Sequence, residues 1–147
     1  MGTRCTIVIP ALDDESYQVT IPIQKEFERI ESILSWFSPN SELYRVNRHA
    51  HLDFFPVSVE LFKLIEKTKV YHTQTTGYYD PTMRPLNQQP TLSTRKELRT
   101  YLGLDKVRLN KKDHSIFFEN KHVDLDFGAI GKGYALDQAK KILGQFH

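Results

Sequence analysis

Between Asp124 and Asp137 the sequence places Gly128, Gly131 and Gly133 within six residues, straight after a strand-like run and straight before a helical one. A junction of this kind confines the chain to folds in which an extended segment feeds directly into a helix N-terminus. Glycines there let backbone amides approach a ligand closely, and the helix start adds unpaired N–H groups and partial positive charge. Lys132 adds a full charge at the same place. The combination predicts a phosphate or pyrophosphate cradle, set against the plainer reading of a strand-to-helix turn. Familiar phosphate motifs do not fit. A Walker loop needs Ser or Thr after its lysine, and Gly133 follows Lys132; the dinucleotide fingerprint has the reverse spacing. Asp126-Phe127-Gly128 spells a kinase triplet without the catalytic-loop motif that should precede it.

The rest of the chain alternates between two periods. Ile23, Phe27, Ile30, Ile33, Leu34 and Phe37 recur at three- and four-residue steps, which predicts a helix over 22–37 ended by Ser38-Pro39-Asn40-Ser41. A second helix is predicted from Val59 to about Thr75, with Ser58 as N-cap and Gly77 just past its end. A third is predicted over 95–102, with Thr94 and Glu97 as a capping box and Gly103 as the C′ glycine. Strand-like runs are Arg4–Ile9, Tyr17–Thr20 after the polar turn at 13–16, Lys106–Leu109, Ser115–Phe118 and His122–Asp126. A closing helix is predicted from Gly133 to Leu143, and Pro81–Thr94 reads as an ordered surface loop. This is an α/β (α+β) pattern of single-domain length. With 147 residues, 39% hydrophobic and 12% aromatic, the chain is no disordered segment. A net charge of +2 without a basic stripe argues against nucleic acid, and the single cysteine excludes a disulfide framework. No apolar run is long enough to span a bilayer, and no secretory leader opens the chain.

Three further stretches carry possible chemistry. Thr75–Thr82 (Thr-Thr-Gly-Tyr-Tyr-Asp-Pro-Thr) offers aromatic faces beside a carboxylate, suited to a flat heterocycle; the alternative is an Asx-type turn held by Asp80 with tyrosines on the core. Phe37–Asn47 reads alone as a helix end, a turn and a short helix. Met1-Gly2-Thr3 is uninformative by itself, and the start also fits the loose myristoylation pattern. The six histidines show no metal-ligand spacing.

Together and in this order, the four stretches resemble the ApbE family, the FAD:protein FMN transferases. Its opening Met-Gly-Thr is matched by Met1–Thr3, and its Pro-x-Ser-Glu-Leu-x-x-x-Asn by Pro39–Asn47. Its Thr-Gly-Gly-Ala-Phe-Asp-Pro-Thr resembles Thr75–Thr82, and its Asp-Leu-Gly-Gly-Ile-Ala-Lys-Gly-Tyr-Ala-Val-Asp resembles Asp126–Asp137. Phe37 replaces the usual Tyr, and Tyr78 stands where a small side chain is usual. The resemblance implies a T-fold-like architecture, with a mixed or antiparallel sheet and packed helices. It implies that Met1, Phe37, Tyr78, Tyr79, Asp80, Gly128, Lys132, Tyr134 and Asp137 belong to an FAD site, with the Gly131 carbonyl a ligand to Mg²⁺. It also implies a reaction: Mg²⁺-dependent cleavage of FAD and transfer of FMN to a Ser or Thr of an acceptor redox flavoprotein. Family members are much longer, so residues 1–147 are expected to form the N-terminal portion of such a domain, lacking its later metal and histidine segments. A non-catalytic flavin- or nucleotide-binding module is the alternative. Many family members are exported lipoproteins, and this sequence leaves the compartment open.

Overall fold

The computed structural model describes residues 5–8, 13–88 and 91–146. The chain begins with α1 (Asp13–Leu34) and α2 (Glu42–His49), then a two-residue strand β1 (Phe55–Pro56). Helices α3 (Val59–Gln74), α4 (Arg84–Asn87) and α5 (Leu92–Arg99) follow. A 3-10 turn at Leu104–Lys106 leads into β2 (Val107–Asn110) and β3 (Ser115–Phe118), and α6 (Gly128–Leu143) closes the chain. The three strands form an antiparallel sheet in the order β1-β3-β2, with Phe55 opposite Ile116 and Val107 opposite Phe118. The result is a mixed α/β architecture of six helices and a small antiparallel sheet among the described residues.

The core lies between these layers. Ile30, Leu43, Val46, Leu61, Ile65, Val107, Ile116, Phe118, Val123, Leu125 and Phe127 are all buried in one cluster. Burial of aliphatic and aromatic side chains on this scale is the main stabilising contribution to such a domain. α3 starts at Ser58, whose hydroxyl accepts from the Leu61 amide, as the sequence predicts. Past its end Gly77 (φ +84°) takes a left-handed conformation, and its amide donates to the His72 carbonyl to close the helix. The turn after it carries the Thr75–Thr82 motif.

Several predicted elements are corrected. Residues 5–8 form no strand, and Met1 and Arg4 lie outside the described residues. Residues 13–20, read as a turn and a β-run, are the first turns of α1. Val19 and Ile23, four apart, bury against Ala139 on α6, and this tertiary partner selects the helix despite Pro22 in its interior. α5 begins three residues earlier than predicted because Thr91, not Thr94, is its cap. Gly103 (φ +135°) is not a helix C′ glycine: it precedes the 3-10 turn, and its amide donates to Thr82 Oγ1. The stretch 122–126 alternates in burial like a strand, but its backbone is paired elsewhere. The Asn47 side-chain amide donates to the Leu125 carbonyl and accepts from its N–H, both at 2.9 Å. The Asp126 amide donates to the Pro81 carbonyl. Part of the Pro81–Thr94 loop is helical, as α4 and the start of α5.

Candidate functional site

α6 starts at Gly128, five residues before its predicted start, so Gly128, Gly131 and Gly133 lie inside the helix rather than in a loop ahead of it. None has positive φ. A Cβ on Gly131 would meet only Leu34 Cδ1 at 3.7 Å, and on Gly133 nothing within 4 Å. Glycine in a helix costs roughly 1 kcal/mol relative to alanine, and at these two positions neither turn geometry nor packing requires it. The N-cap residue, Phe127, is buried and supplies no side-chain cap; the Gly128 amide instead donates to Asp126 Oδ1 at 2.7 Å.

Two hollows meet at this helix start. One, of about 80 Å³, is lined by Phe37, Asp126, Gly128, Gly131 and Lys132 among others. The second, of about 380 Å³, is lined by Tyr78, Tyr79, Asp80, Arg84, Asp126 and Gly128 among others. Asp126 and Gly128 belong to both. A larger cleft of about 760 Å³ adjoins them through Trp36, Phe37 and Arg84.

Each wall is held by identifiable contacts. The turn after α1 carries the exposed Trp36 and Phe37, packed edge to face at 5.5 Å. Ser41 secures that turn, its hydroxyl donating to the Ser35 carbonyl and accepting from the Tyr44 amide. Asp80 Oδ1 accepts from the Thr82 amide and hydroxyl at 2.8 and 2.7 Å, an Asx-type turn, so this carboxylate shapes its own loop. The two tyrosines divide. Tyr78 is 94% exposed, a free stacking face. Tyr79 packs on Tyr71 with its hydroxyl buried and unpartnered, and burial pushes that hydroxyl's pKa above its ordinary range. Lys132 is exposed and its Nζ donates to the Gly128 carbonyl at 2.9 Å.

A model of the ApbE family matches residues 1–147. The chain belongs to the ApbE family. An FAD:protein FMN transferase of Chlamydia muridarum is 29% identical over 161 residues, covering 99% of this chain and 51% of that protein. One of Haemophilus influenzae is 28% identical over 169 residues, covering 100% and 48%. The solved flavin transferase ApbE of Vibrio cholerae has a TM-score of 0.81 at 21% identity, covering 94% of this chain and 48% of that one. The ApbE protein of Thermotoga maritima gives 0.80 at 23%, covering 92% and 46%. At these identities the structural likeness speaks for the fold alone. This ApbE-family chain spans about half the length of the relatives it matches.

Of the residues the resemblance singled out, the structure gathers Phe37, Tyr78, Tyr79, Asp80, Gly128, Gly131 and Lys132 around the start of α6. Met1 lies outside the described residues. Tyr134 and Asp137 fall elsewhere, in a separate hollow with Lys67 and Tyr71. The Tyr134 hydroxyl donates to Glu60 Oε1 at 2.6 Å; burial first, then that hydrogen bond, raises its pKa above the ordinary range. Asp126 was not singled out, although it stands two residues before Gly128 and faces both hollows. Only the fold shows this, because the Pro81 carbonyl fixes where it sits.

Gly131 lies one turn inside α6. Magnesium takes six oxygens, usually including one or two carboxylates. Among the described residues no three His, Cys, Asp or Glu side chains converge to hold a metal. These residues do not by themselves compose a magnesium site.

Proposed function

We propose that this chain forms the flavin-binding half of an FAD:protein FMN transferase. The observation that carries the reading is the start of α6, where Gly131, whose missing Cβ neither turn geometry nor packing requires, borders the hollow lined by Phe37 and Lys132. The missing β-carbon of Gly131 leaves room for a ligand, and a helix N-terminus with Lys132 beside it suits the FAD pyrophosphate. Phe37 and Tyr78 supply ring faces for stacking. Asp80 and Asp126 shape the loops that present these groups. Tyr134 and Asp137 act at a distance, with Tyr134 anchoring α6 to α3 through Glu60.

In the whole enzyme FMN would pass to a Ser or Thr of an acceptor flavoprotein, with Mg²⁺ offsetting the pyrophosphate charge. The further metal donors and the base lie outside this chain in this reading. The alternative, a binding module without catalysis, is favoured by one observation: no metal-holding cluster among the described residues. Titrating FAD into the chain with and without Mg²⁺, following flavin fluorescence and AMP release, tests both. Binding that Mg²⁺ does not change, without AMP, is the expected result for this chain alone. AMP release would mean the chain is catalytic by itself, and no binding would overturn both readings.

A further inference from the structure

α3 runs into a chain reversal that its own end holds in place. Thr76 (φ +49°) and Gly77 (φ +84°) are consecutive left-handed residues. That conformation strains a β-branched side chain such as Thr76 and persists only where the surroundings fix it. Two side chains do so, one on the last turn of α3 and one just past it. The Tyr79 amide donates to Thr75 Oγ1 at 3.0 Å, and His72 Nδ1 lies 2.8 Å from the Tyr79 carbonyl oxygen. A carbonyl only accepts, so Nδ1 carries the hydrogen and donates it. The same nitrogen stands 3.7 Å from Oδ2 of Asp80, whose side chain is almost buried. Thr75 Oγ1 is itself anchored, donating to the Tyr71 carbonyl at 2.8 Å. Both backbone polar groups of Tyr79 are therefore taken by side chains fixed on the helix. The neighbouring Tyr78 amide donates to the Thr75 carbonyl at 3.0 Å, while its ring faces solvent. His72 and Thr75 do not line the hollow that Tyr78 borders, so any effect they have on a ligand there passes through the loop.

We propose that His72 and Thr75 are positioning residues: they fix the Tyr79 peptide and so aim the Tyr78 ring at the ligand. A ring gains from stacking only what is left after the loop that carries it has been ordered. A loop fixed beforehand keeps more of that gain. The ligand comes from the flavin reading, on which this inference rests; the hydrogen bonds that hold the loop do not depend on it.

Leucine at position 72 removes the donor, whereas the side-chain nitrogen of asparagine takes the place of Nδ1. FAD affinity, melting temperature and hydrogen exchange of the Tyr79 amide are measured for His72→Leu, His72→Asn, Tyr78→Ala and the double variant His72→Leu with Tyr78→Ala. We expect His72→Leu to speed exchange at Tyr79 at least about tenfold and to weaken FAD binding at least about fivefold. His72→Asn should stay within about twofold of the unmodified chain in both. With Tyr78 already truncated, His72→Leu should change FAD affinity less than about twofold, whereas a histidine that only stabilised the fold would cost the same in both backgrounds. Equal losses in the two backgrounds, no rescue by His72→Asn, or exchange or affinity unchanged in a folded His72→Leu would each overturn the assignment. If the unmodified chain does not bind FAD, the flavin reading falls and exchange alone decides on His72. Faster exchange in His72→Leu with normal exchange in His72→Asn then supports the positioning role, and unchanged exchange overturns it. Should His72→Leu unfold, Thr75→Val, which removes the acceptor of the Tyr79 amide, takes its place, with Thr75→Ser as its rescue.

Discussion

Glu60 accepts from Tyr134 and from both terminal nitrogens of Arg29, which also binds Glu26. The hydrogen bond from Arg29 is the main reason that the Glu60 carboxyl lies below its ordinary value of 4.5, with burial opposing it. A carboxylate held low contributes stability above its unfolded pKa and loses it as pH falls through the folded one. The Arg29 side chain is 43% exposed, so solvent screens the pair. Glu60→Gln is therefore expected to cost only about 0.5–1 kcal/mol at pH 7, a cost that shrinks as acid protonates the folded-state carboxyl, read by urea unfolding across an acid pH series. Lys132→Ala tests a charge rather than a contact in the core: FAD affinity should fall about tenfold with the melting temperature unchanged. At this scale the sequence is an uneven guide. It shows that Asp80 and Tyr78 stand together, but not that the carboxylate turns into its own loop while the ring faces solvent. That division depends on Thr82, whose hydroxyl bridges Asp80 and Gly103.

Elements follow the sequence where the side-chain period and a cap agree. α3 and β3 lie where Ser58 and the strand-like run Ser115–Phe118 put them. Where two caps compete, as Thr91 and Thr94 do, chemistry alone does not choose. The stretch 122–126 shows a different limit. Val123 and Leu125 within it are buried in alternation, as in a strand, but period two says nothing about what pairs with the backbone. The partner of Leu125 is the side chain of Asn47, 78 residues away. Asn47→Ala leaves one N–H and one carbonyl of Leu125 without partners and is expected to destabilise by about 2–4 kcal/mol. Asn47→Asp keeps the acceptor but sets a carboxylate oxygen against the Leu125 carbonyl, so at neutral pH its cost should be no smaller than that of Asn47→Ala. Chemical denaturation of both variants gives the ratio directly. α1 teaches a related lesson: Val19, in a run that looks β-like in sequence, becomes helical and buries with Ile23 against Ala139 on α6.

Across the whole molecule, the order of motifs along the chain becomes a meeting of three segments in space. The turn after α1, the loop after α3 and the start of α6 converge on Asp126 and Gly128. Motif order reveals the family; only the packing separates Tyr134 and Asp137 from the others, because they project from another face of α6. If the convergence is a flavin site, FAD at about a hundredfold excess over its Kd should stabilise the chain by about 2.7 kcal/mol, visible as a rise in melting temperature. The most direct test uses two glycines of the same helix. Gly131 borders the proposed site and has room for a methyl, with Leu34 at 3.7 Å; Gly133 faces the separate hollow and open space. Alanine at either position should leave stability unchanged or raise it by up to about 1 kcal/mol. Measuring FAD affinity and melting temperature for Gly131→Ala and Gly133→Ala then isolates the ligand's claim on the helix start. The account predicts at least about a tenfold loss of FAD affinity in Gly131→Ala and none in Gly133→Ala, with both folded. Undiminished FAD affinity in a folded Gly131→Ala would contradict it.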